Sequence, residues 1–346
     1  MSVQFTGSFD VTGSILLNGV PVTASGDLIF DSSSFMITGS AVGNTLTFTK
    51  GDNSTFDMVF ESGSGAVDTD IQTFLTSSTW YKPANAKVIR VDLVGGGGGA
   101  GSGRRGVASS NRCGGGGGGA GAYAFAYFNA DQIPATMSIA VGIGGAGGAA
   151  VTADNTSGIL GITGSQSIFG DTSYAILYAR GGSRGSAGGT LTTAGAGTMT
   201  SATRMFGPTQ YQNGGSGRTT NGIGASSQTG WPKGGGGGAG LNTLNAVNNG
   251  GIGNPQITNW AQYPGYTPNS GSSAGVRDGG NGDTVNFVYG NGGGGGASAL
   301  ADVGGNGGNG GFPGGGGGGG SASENGFNSG AGGTGGNGVA VITTYF

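Results

Sequence analysis

The 346-residue sequence contains no histidine and a single cysteine, Cys113. Histidine is the commonest general base and metal ligand, so its absence excludes Ser–His and Cys–His nucleophile arrangements. One cysteine permits neither an intrachain disulfide nor a cluster of thiolate ligands. Carboxylates are the remaining candidates for acid–base catalysis, but residues 95–346 hold only 7 Asp and Glu, scattered among turn sequences. We therefore expect a protein that is not an enzyme and has no cofactor or metal.

Charge is also scarce, because Asp, Glu, Lys and Arg make up 8% of the chain against roughly a quarter in ordinary soluble domains. Residues 1–94 carry 4 Lys/Arg and 9 Asp/Glu, and residues 95–346 carry 9 and 7. No cluster of basic residues marks a nucleic-acid interface. No apolar run approaches the ~20 residues of a membrane span, and the opening MSVQFTGS has no secretory signal. We expect neither nucleic-acid binding nor membrane insertion.

Glycine dominates instead, with 88 residues. In GGNGGNGG at 304–311 the non-glycine residues are three apart, a period that fits neither an α-helix nor a strand. It fits the polyproline-II helix, which has three residues per turn and no internal hydrogen bonds. Two edges of such a polyglycine helix can press against neighbouring backbones while the third carries a side chain. The residues predicted on that third edge are Asn306, Asn309, Ala331, Thr334, Asn337, Ala146 and Ala149.

The alternative for these runs is a flexible linker, since glycine-rich chains behave as random coil. Three features favour a packed bundle. The runs carry small residues in register, they alternate with β-branched strand sequences, and several of them exist to satisfy each other's backbone groups. Collagen is excluded, because only 9 prolines occur and a triple helix needs one glycine per triplet with abundant proline.

The organisation along the chain predicts an N-terminal β module, a linker and a glycine-rich domain. Residues 1–60 alternate short apolar runs with turn signals, among which Asn18-Gly19 predicts a two-residue hairpin. Residues 61–79 read as a linker, although DIQTFLTSS at 70–78 fits one helical turn or an extended lead-in. From 80 to 346, strands such as VIRVDLV, AYAFAYF and VAVITTY alternate with glycine runs. The predicted fold class is all-β with a polyglycine II helix bundle and almost no α-helix.

The middle of the glycine-rich domain, about 181–290, is where a binding site is predicted. It concentrates large amphipathic side chains beside proline and glycine, as recognition loops on a rigid scaffold do. The alternative is that these rings cover the glycine bundle, which has few side chains for a core. The candidate receptor-binding residues are Phe206, Tyr211, Arg218, Trp231, Trp260, Tyr263 and Tyr266.

Two weaker motifs are kept as alternatives. DGGNGDTVNF at 278–287 is close to a calcium-binding repeat, but it occurs once and Asp283 falls one place early, which favours an Asp-stabilised loop. Arg104, Arg105 and Arg112 could form an anion patch. We interpret them instead as solvated loop residues that cap free carbonyls at the ends of glycine helices.

The order of motifs from WYKPANAKVIRVDLVGGGGGAGSG through GGGGGAGAYAFAYF, VGIGGAGG and SQSIFGD to GGNGVAVITTYF resembles the glycine-rich domains of bacteriophage tail-fibre and adhesin proteins. FTGSFDVTGSILLNG and TLTFTKGDNSTFDMVF are similar to β modules of virion proteins. The resemblance implies a virion protein made in the bacterial cytoplasm, in which stacked polyglycine helices carry loops that bind the host surface.

The expected partners follow from that resemblance. They are other virion proteins through the N-terminal module, a host surface protein or glycan, and further copies of the chain, with a trimer favoured. A capsid decoration or head-fibre protein without a receptor is the alternative. An ice-binding protein would need a long regular Thr or Ala row, and the period-three stretches here are short.

Overall fold

A computed structural model describes residues 16–17, 20–21, 36–42, 45–50, 53–59, 68–170, 175–197, 213–225, 232–253, 277–285 and 289–346. The chain divides into two compact units, residues 1–67 and residues 68–346.

Nineteen strands are present in the described residues, and they are numbered in chain order. They are β1 (Leu16–Leu17), β2 (Val20–Pro21), β3 (Met36–Val42), β4 (Thr45–Lys50), β5 (Thr55–Val59), β6 (Thr69–Phe74), β7 (Ser78–Tyr81), β8 (Val88–Val94), β9 (Arg105–Gly106), β10 (Tyr123–Asn129), β11 (Thr136–Ala140), β12 (Ser167–Gly170), β13 (Ala175–Ala179), β14 (Thr193–Ala194), β15 (Gly217–Arg218), β16 (Thr284–Val285), β17 (Tyr289–Gly290), β18 (Ser323–Glu324) and β19 (Val339–Tyr345). The helical structure in these residues is the single 3₁₀ turn Ala130–Gln132. The predicted all-β class is therefore confirmed.

In the N-terminal unit, β3, β4 and β5 form an antiparallel meander. Phe48 and Phe56 stack on neighbouring strands with ring centroids 5.1 Å apart. The strands β1 and β2 pair antiparallel with Leu17 opposite Val20, the pairing that the hairpin prediction requires. Residues 18 and 19 themselves lie outside the described residues.

The second unit contains two antiparallel sheets that share one core. Their strand orders are β10-β8-β19-β6 and β13-β12-β11-β7. Alternation in VIRVDLV buries Ile89 and Leu93 from the first sheet, and Trp80 and Phe169 come from the second. The rings of Trp80 and Phe169 meet edge to face at 5.9 Å. Burial of each such side chain stabilises the fold by roughly 1.5–3 kcal/mol. The sandwich therefore supplies the apolar core that the glycine segments cannot form.

Residues 68–79, part of the predicted linker 61–79, belong to the second unit. Six of them form the edge strand β6, whose partner is β19. This strand contributes little to the core, since its residues alternate between exposed and half-buried. That polarity explains why the sequence DIQTFL gives an ambiguous signal, and the structure resolves it as extended.

Beyond the sandwich, the glycine runs hydrogen-bond to one another with a period of three. In segment 95–104, every third N–H from Gly95 onward donates to segment 113–122, beginning with Ala122. The next residue of each triplet donates to segment 156–165, and the third donates to segment 330–336. Successive donors therefore point in three directions, as three residues per turn require.

Segment 95–104 is enclosed on all sides by other segments. Its donors reach segments 113–122, 156–165 and 330–336, and its carbonyls accept from segments 145–148, 182–188 and 317–323. Segments 113–122 and 314–322 are enclosed in the same way. These three central segments also bond to each other, for example Gly98 N–H to Gly119 at 2.8 Å and Gly317 N–H to Gly98 at 3.0 Å.

Close packing explains why these positions are glycine. A Cβ placed on Gly97 would lie 2.0 Å from the carbonyl oxygen of Gly315, and one on Gly118 would lie 2.0 Å from that of Gly98. No side chain can occupy such a gap. The polyglycine II conformation itself stays an interpretation of this repeat.

The outward edges carry side chains at every third position, as predicted. Asn306, Asn309 and Thr334 are exposed, whereas Gly305 and Gly308 are buried. The amide oxygen of Asn306 accepts from the N–H of Ala331 at 2.9 Å, and that of Asn309 accepts from the N–H of Thr334 at 3.0 Å. Asparagine at the edge thus replaces the backbone carbonyl that a further neighbouring segment would provide.

Candidate functional site at the far end of the glycine bundle

Of the predicted receptor-binding residues, the structure describes Arg218. It lies in β15, is exposed, and pairs across the ladder with Thr193 of β14. The other six lie outside the described residues: Phe206, Tyr211, Trp231, Trp260, Tyr263 and Tyr266. Their role stays a prediction.

Much of the middle region is part of the bundle and not loop. Segments 181–189, 213–225, 232–241 and 248–253 all hydrogen-bond to other glycine segments. The sequence pattern missed some of them because large residues occupy the outward third positions. Ile223 is 37% and Ile252 is 41% exposed.

The bundle has two different ends. At the strand end, segments continue into β-strands of the sandwich, as Gly95 follows β8 and Gly338 precedes β19. At the opposite end, here called the far end, the segments reverse through short turns at 105–112, 151–155, 190–194, 218–221, 241–248, 299–303 and 323–328. Register places Arg218 at the far end, because its carbonyl accepts from Gly114, next to Cys113.

Side chains lock these far-end turns together. Asn155 and Asn325 bond reciprocally, since the N–H of Asn155 donates to Asn325 Oδ1 at 3.0 Å and Asn325 Nδ2 donates to Asn155 Oδ1 at 3.1 Å. The N–H of Gly326 donates to Asp154 Oδ1 at 3.0 Å. Because the two turns are 170 residues apart in sequence, these bonds fix the surface against separate loop movement.

Asn245 performs the same function between turns 105–112 and 241–248. Its Oδ1 accepts from the N–H of Ser109 at 2.8 Å and from a guanidinium nitrogen of Arg112. Ser109, Asn155, Asn245 and Ala301 all have φ near +55°, a region in which asparagine is enriched. The turns are therefore tight and conformationally defined.

The arginines beside Cys113 differ from their predicted role. Arg105 is 8% exposed and Arg112 is fully buried, so the interpretation of both as solvated residues is wrong. They do contact carbonyls, since Arg105 donates to Thr152 O and Arg112 Nε donates to Ser110 O at 3.2 Å. Burial lowers the pKa of Arg112, and the neighbouring charge of Glu324 opposes that shift. The two buried side chains stabilise the far-end turns by hydrogen bonds to their backbone carbonyls.

An ion pair also connects two of the far-end turns. Arg105 Nη2 lies 2.5 Å from Asp154 Oδ1. The bond from the N–H of Gly326 and the contact with Arg105 lower the pKa of Asp154. The carboxylate is thus ionised at neutral pH and holds one turn to another.

Aliphatic side chains project from this rigid frame into solvent. They are Leu244 (84% exposed), Leu191 (75%), Val107 (49%), Val303 (46%), Val247 (42%) and Leu300 (39%). All six lie in far-end turns, and the exposed Arg218 lies among these turns as well. Exposed apolar residues that share one end of a polar frame are candidates for a protein-interaction surface. The predicted anchors are aromatic residues and one arginine, so these aliphatic residues were not among them.

The acidic motif at 278–287 has a structural role in the described part of the chain. Asp278 Oδ1 accepts from the N–H of Asn306 at 2.7 Å, as an Asp-stabilised edge does. No group of three or more metal-ligating Asp, Glu, Cys or His side chains occurs among the described residues.

Among the described residues, no helix has the length and apolar character needed to cross a membrane. A family model described as a glycine-rich domain matches residues 71–345. A comparison with curated proteins gave no match.

Proposed function

The chain belongs to the glycine-rich domain family, and from this premise we propose that it is a non-enzymatic bacteriophage virion protein, a tail-fibre or adhesin subunit that binds the host cell surface. Binding takes place without bond breaking. The sequence resemblance to phage fibres supports the virion context, and the far-end surface supports the binding role.

The observation that carries the proposal is the combination of rigidity and exposed apolar groups at the far end. The glycine bundle and the hydrogen bonds of Asn155, Asn245 and Asn325 hold the turns in place before any partner arrives. A preorganised surface loses little conformational entropy on binding. Leu191 and Leu244, both more than 70% exposed, are then available as anchors.

The N-terminal unit is proposed to attach the chain to other virion proteins and to assemble it into an oligomer, with a trimer favoured. Strands β1 and β2 have two residues each and form a two-stranded sheet, and an isolated two-stranded hairpin is only marginally stable without packing against a partner. A host surface protein or glycan is the proposed partner of the glycine-rich domain.

Adsorption competition tests the proposal. Purified chain should block adsorption of the corresponding phage to its host, and Leu191→Ser together with Leu244→Ser should weaken that competition. Loss of ~2 kcal/mol corresponds to roughly a thirtyfold weaker inhibition constant. Ile143→Ser is the matched control, because Ile143 is 69% exposed on the side of the bundle and not at the far end.

Trp260→Ala and Tyr263→Ala test the predicted aromatic site in the same assay. If the two residues are recognition anchors, each substitution should weaken binding by ~2 kcal/mol and leave thermal stability unchanged. If these rings instead cover the glycine bundle, the two substitutions should lower thermal stability. A folded chain that does not compete at saturation would contradict receptor binding and would favour a capsid decoration protein.

A further inference from the structure

The outer face of the first sheet carries a stripe of aromatic rings. Strand β10 is at the edge of that sheet, and its sequence YAFAYF alternates aromatic residues with alanine. Ala124 and Ala126 are buried in the sandwich core. Tyr123, Phe125 and Tyr127 therefore lie on the opposite face.

These rings form a continuous row. The centroids of Tyr123 and Phe125 are 5.8 Å apart in a stacked arrangement, and those of Phe125 and Tyr127 are 6.3 Å apart, edge to face. Tyr127 is 56% exposed. An alanine core face and an aromatic outer face are the reverse of what burial alone favours, since aromatic side chains carry the largest apolar area.

A fixed polar pair stands beside the rings on β8. Arg90 makes two bonds of 2.8 Å to Asp92, and Tyr123 Oη donates to Asp92 at 2.5 Å. The guanidinium carbon of Arg90 lies 5.6 Å from the centroids of both Phe125 and Tyr127. Arg90 Nη1 also donates to Tyr127 Oη at 3.4 Å.

This network orients the rings and cancels the charges. Burial and the bond to Asp92 raise the pKa of the Tyr123 hydroxyl, so Tyr123 remains a neutral donor at physiological pH. One cation and one anion compensate each other. The face therefore offers ring surface together with oriented donors and acceptors, and it has no net charge.

We propose that this row is a binding platform for an uncharged saccharide, with Tyr127 as the main stacking ring, Phe125 beside it, and Arg90 and Asp92 as the hydrogen-bonding pair. Sugar rings present polarised C–H groups on one face, and these are attracted to the electron-rich face of an aromatic ring. Their hydroxyl groups require both donors and acceptors at the rim.

Other classes of occupant fit this face less well. An anionic ligand would meet the Asp92 carboxylate, and a cationic one would meet Arg90. A purely apolar partner surface would have to desolvate the Arg90–Asp92 pair, which is costly. The outward positions on the neighbouring strands are mixed, since Thr343 and Thr73 share this face with Val341 and Ile71. The platform lies on the sandwich, so it is separate from the far-end surface and does not rest on the proposed function.

Saturation-transfer NMR and calorimetry with maltohexaose and chitohexaose test the platform on the full chain. We expect binding of at least one hexasaccharide. Tyr127→Ala should weaken it by roughly tenfold or more, equal to ~1.4 kcal/mol. Tyr127→Phe should restore most of the affinity because it keeps the ring. Tyr81→Ala is the control, since Tyr81 is 68% exposed on β7 of the other sheet.

Three results would overturn the proposal. They are no saturation transfer from the folded chain to either saccharide, equal loss of binding in the Tyr127 and Tyr81 variants, or self-association that Tyr127→Ala abolishes, which would place a second copy on this face. Thermal melting of each variant separates lost binding from lost folding. The Leu244→Ser variant should bind saccharide normally, which distinguishes failure of this platform from failure of the far-end surface.

Discussion

Gly307 provides a direct test of whether glycine is needed for close packing or for flexibility. A Cβ at this position would lie 1.8 Å from the carbonyl oxygen of Gly318 and 2.3 Å from its carbon. Ordinary contact begins near 3.4 Å. Gly307→Val therefore forces segments 304–311 and 314–322 apart by more than an ångström.

The expected loss of stability in Gly307→Val follows from the hydrogen bonds that such a separation breaks. Gly318 N–H donates to Gly308 at 2.8 Å, Ser321 N–H to Gly305 at 3.0 Å, and Gly315 N–H to Gly311 at 2.9 Å. At about 1 kcal/mol each, their loss costs ~3 kcal/mol, and overpacking adds ~1–3 kcal/mol. For the unit of residues 68–346, with an unfolding entropy of ~2.1 cal/mol/K per residue, a loss of ~4–6 kcal/mol lowers Tm by roughly 7–10 °C.

Asn306→Val is the neighbouring control, because Asn306 is exposed. It should cost about 1 kcal/mol, since valine cannot accept the hydrogen bond from Ala331. Ala146→Val, on another outward edge, should cost less than either. Thermal denaturation followed by far-UV circular dichroism measures all three. Equal Tm values for the Gly307 and Asn306 variants would refute close packing of the segments.

Three further predictions concern titration and reactivity. Burial lowers the pKa of Lys233 to about 8, so the unfolded chain binds more protons between that pH and ~10.4. The free energy of unfolding, measured by urea denaturation, should therefore rise by up to ~3 kcal/mol across this pH interval and should rise less in Lys233→Met. The same pH dependence in both proteins would contradict the lowered pKa of Lys233. Burial raises the pKa of the Cys113 thiol to about 12, so iodoacetamide at pH 8 should modify the unfolded chain and spare the folded one. The pKa of Asp154 is lowered, so its carboxylate contributes stability above ~pH 4 that is lost when it is protonated. Hydrogen exchange of the Gly326 amide, measured by mass spectrometry, should therefore become faster at low pH than its intrinsic rate predicts. This additional exchange should be absent in Asp154→Asn.

Periodicity in the sequence predicts the strands and the bundle well. Alternation at Val88–Val94 and Val339–Tyr345 corresponds to strands of those bounds. The outward residues Asn306 and Asn309 follow from their three-residue spacing. These features are local, and the sequence encodes them residue by residue.

The pairing of segments could not be predicted in the same way. GGGGG at 95–99 and GGGGGG at 114–119 are interchangeable as sequences, so nothing in them specifies that Gly98 bonds to Gly119. The register is imposed by the strands at one end and by the turns at the other. Asn155 and Asn245 were the available signals for those turns, since asparagine between glycine segments indicates positive φ.

The order of strands in the first sheet has a consequence for how the chain reaches its native state. Strand β19 lies between β8 and β6, and segments 314–322 and 330–336 enclose segment 95–104. A nascent chain synthesised only to residue 300 lacks the middle of the sheet and one of the three central segments. Native pairing therefore waits until residues more than 200 positions apart are both present. Such high contact order gives slow folding, during which the long glycine runs remain solvated and have few apolar groups with which to aggregate.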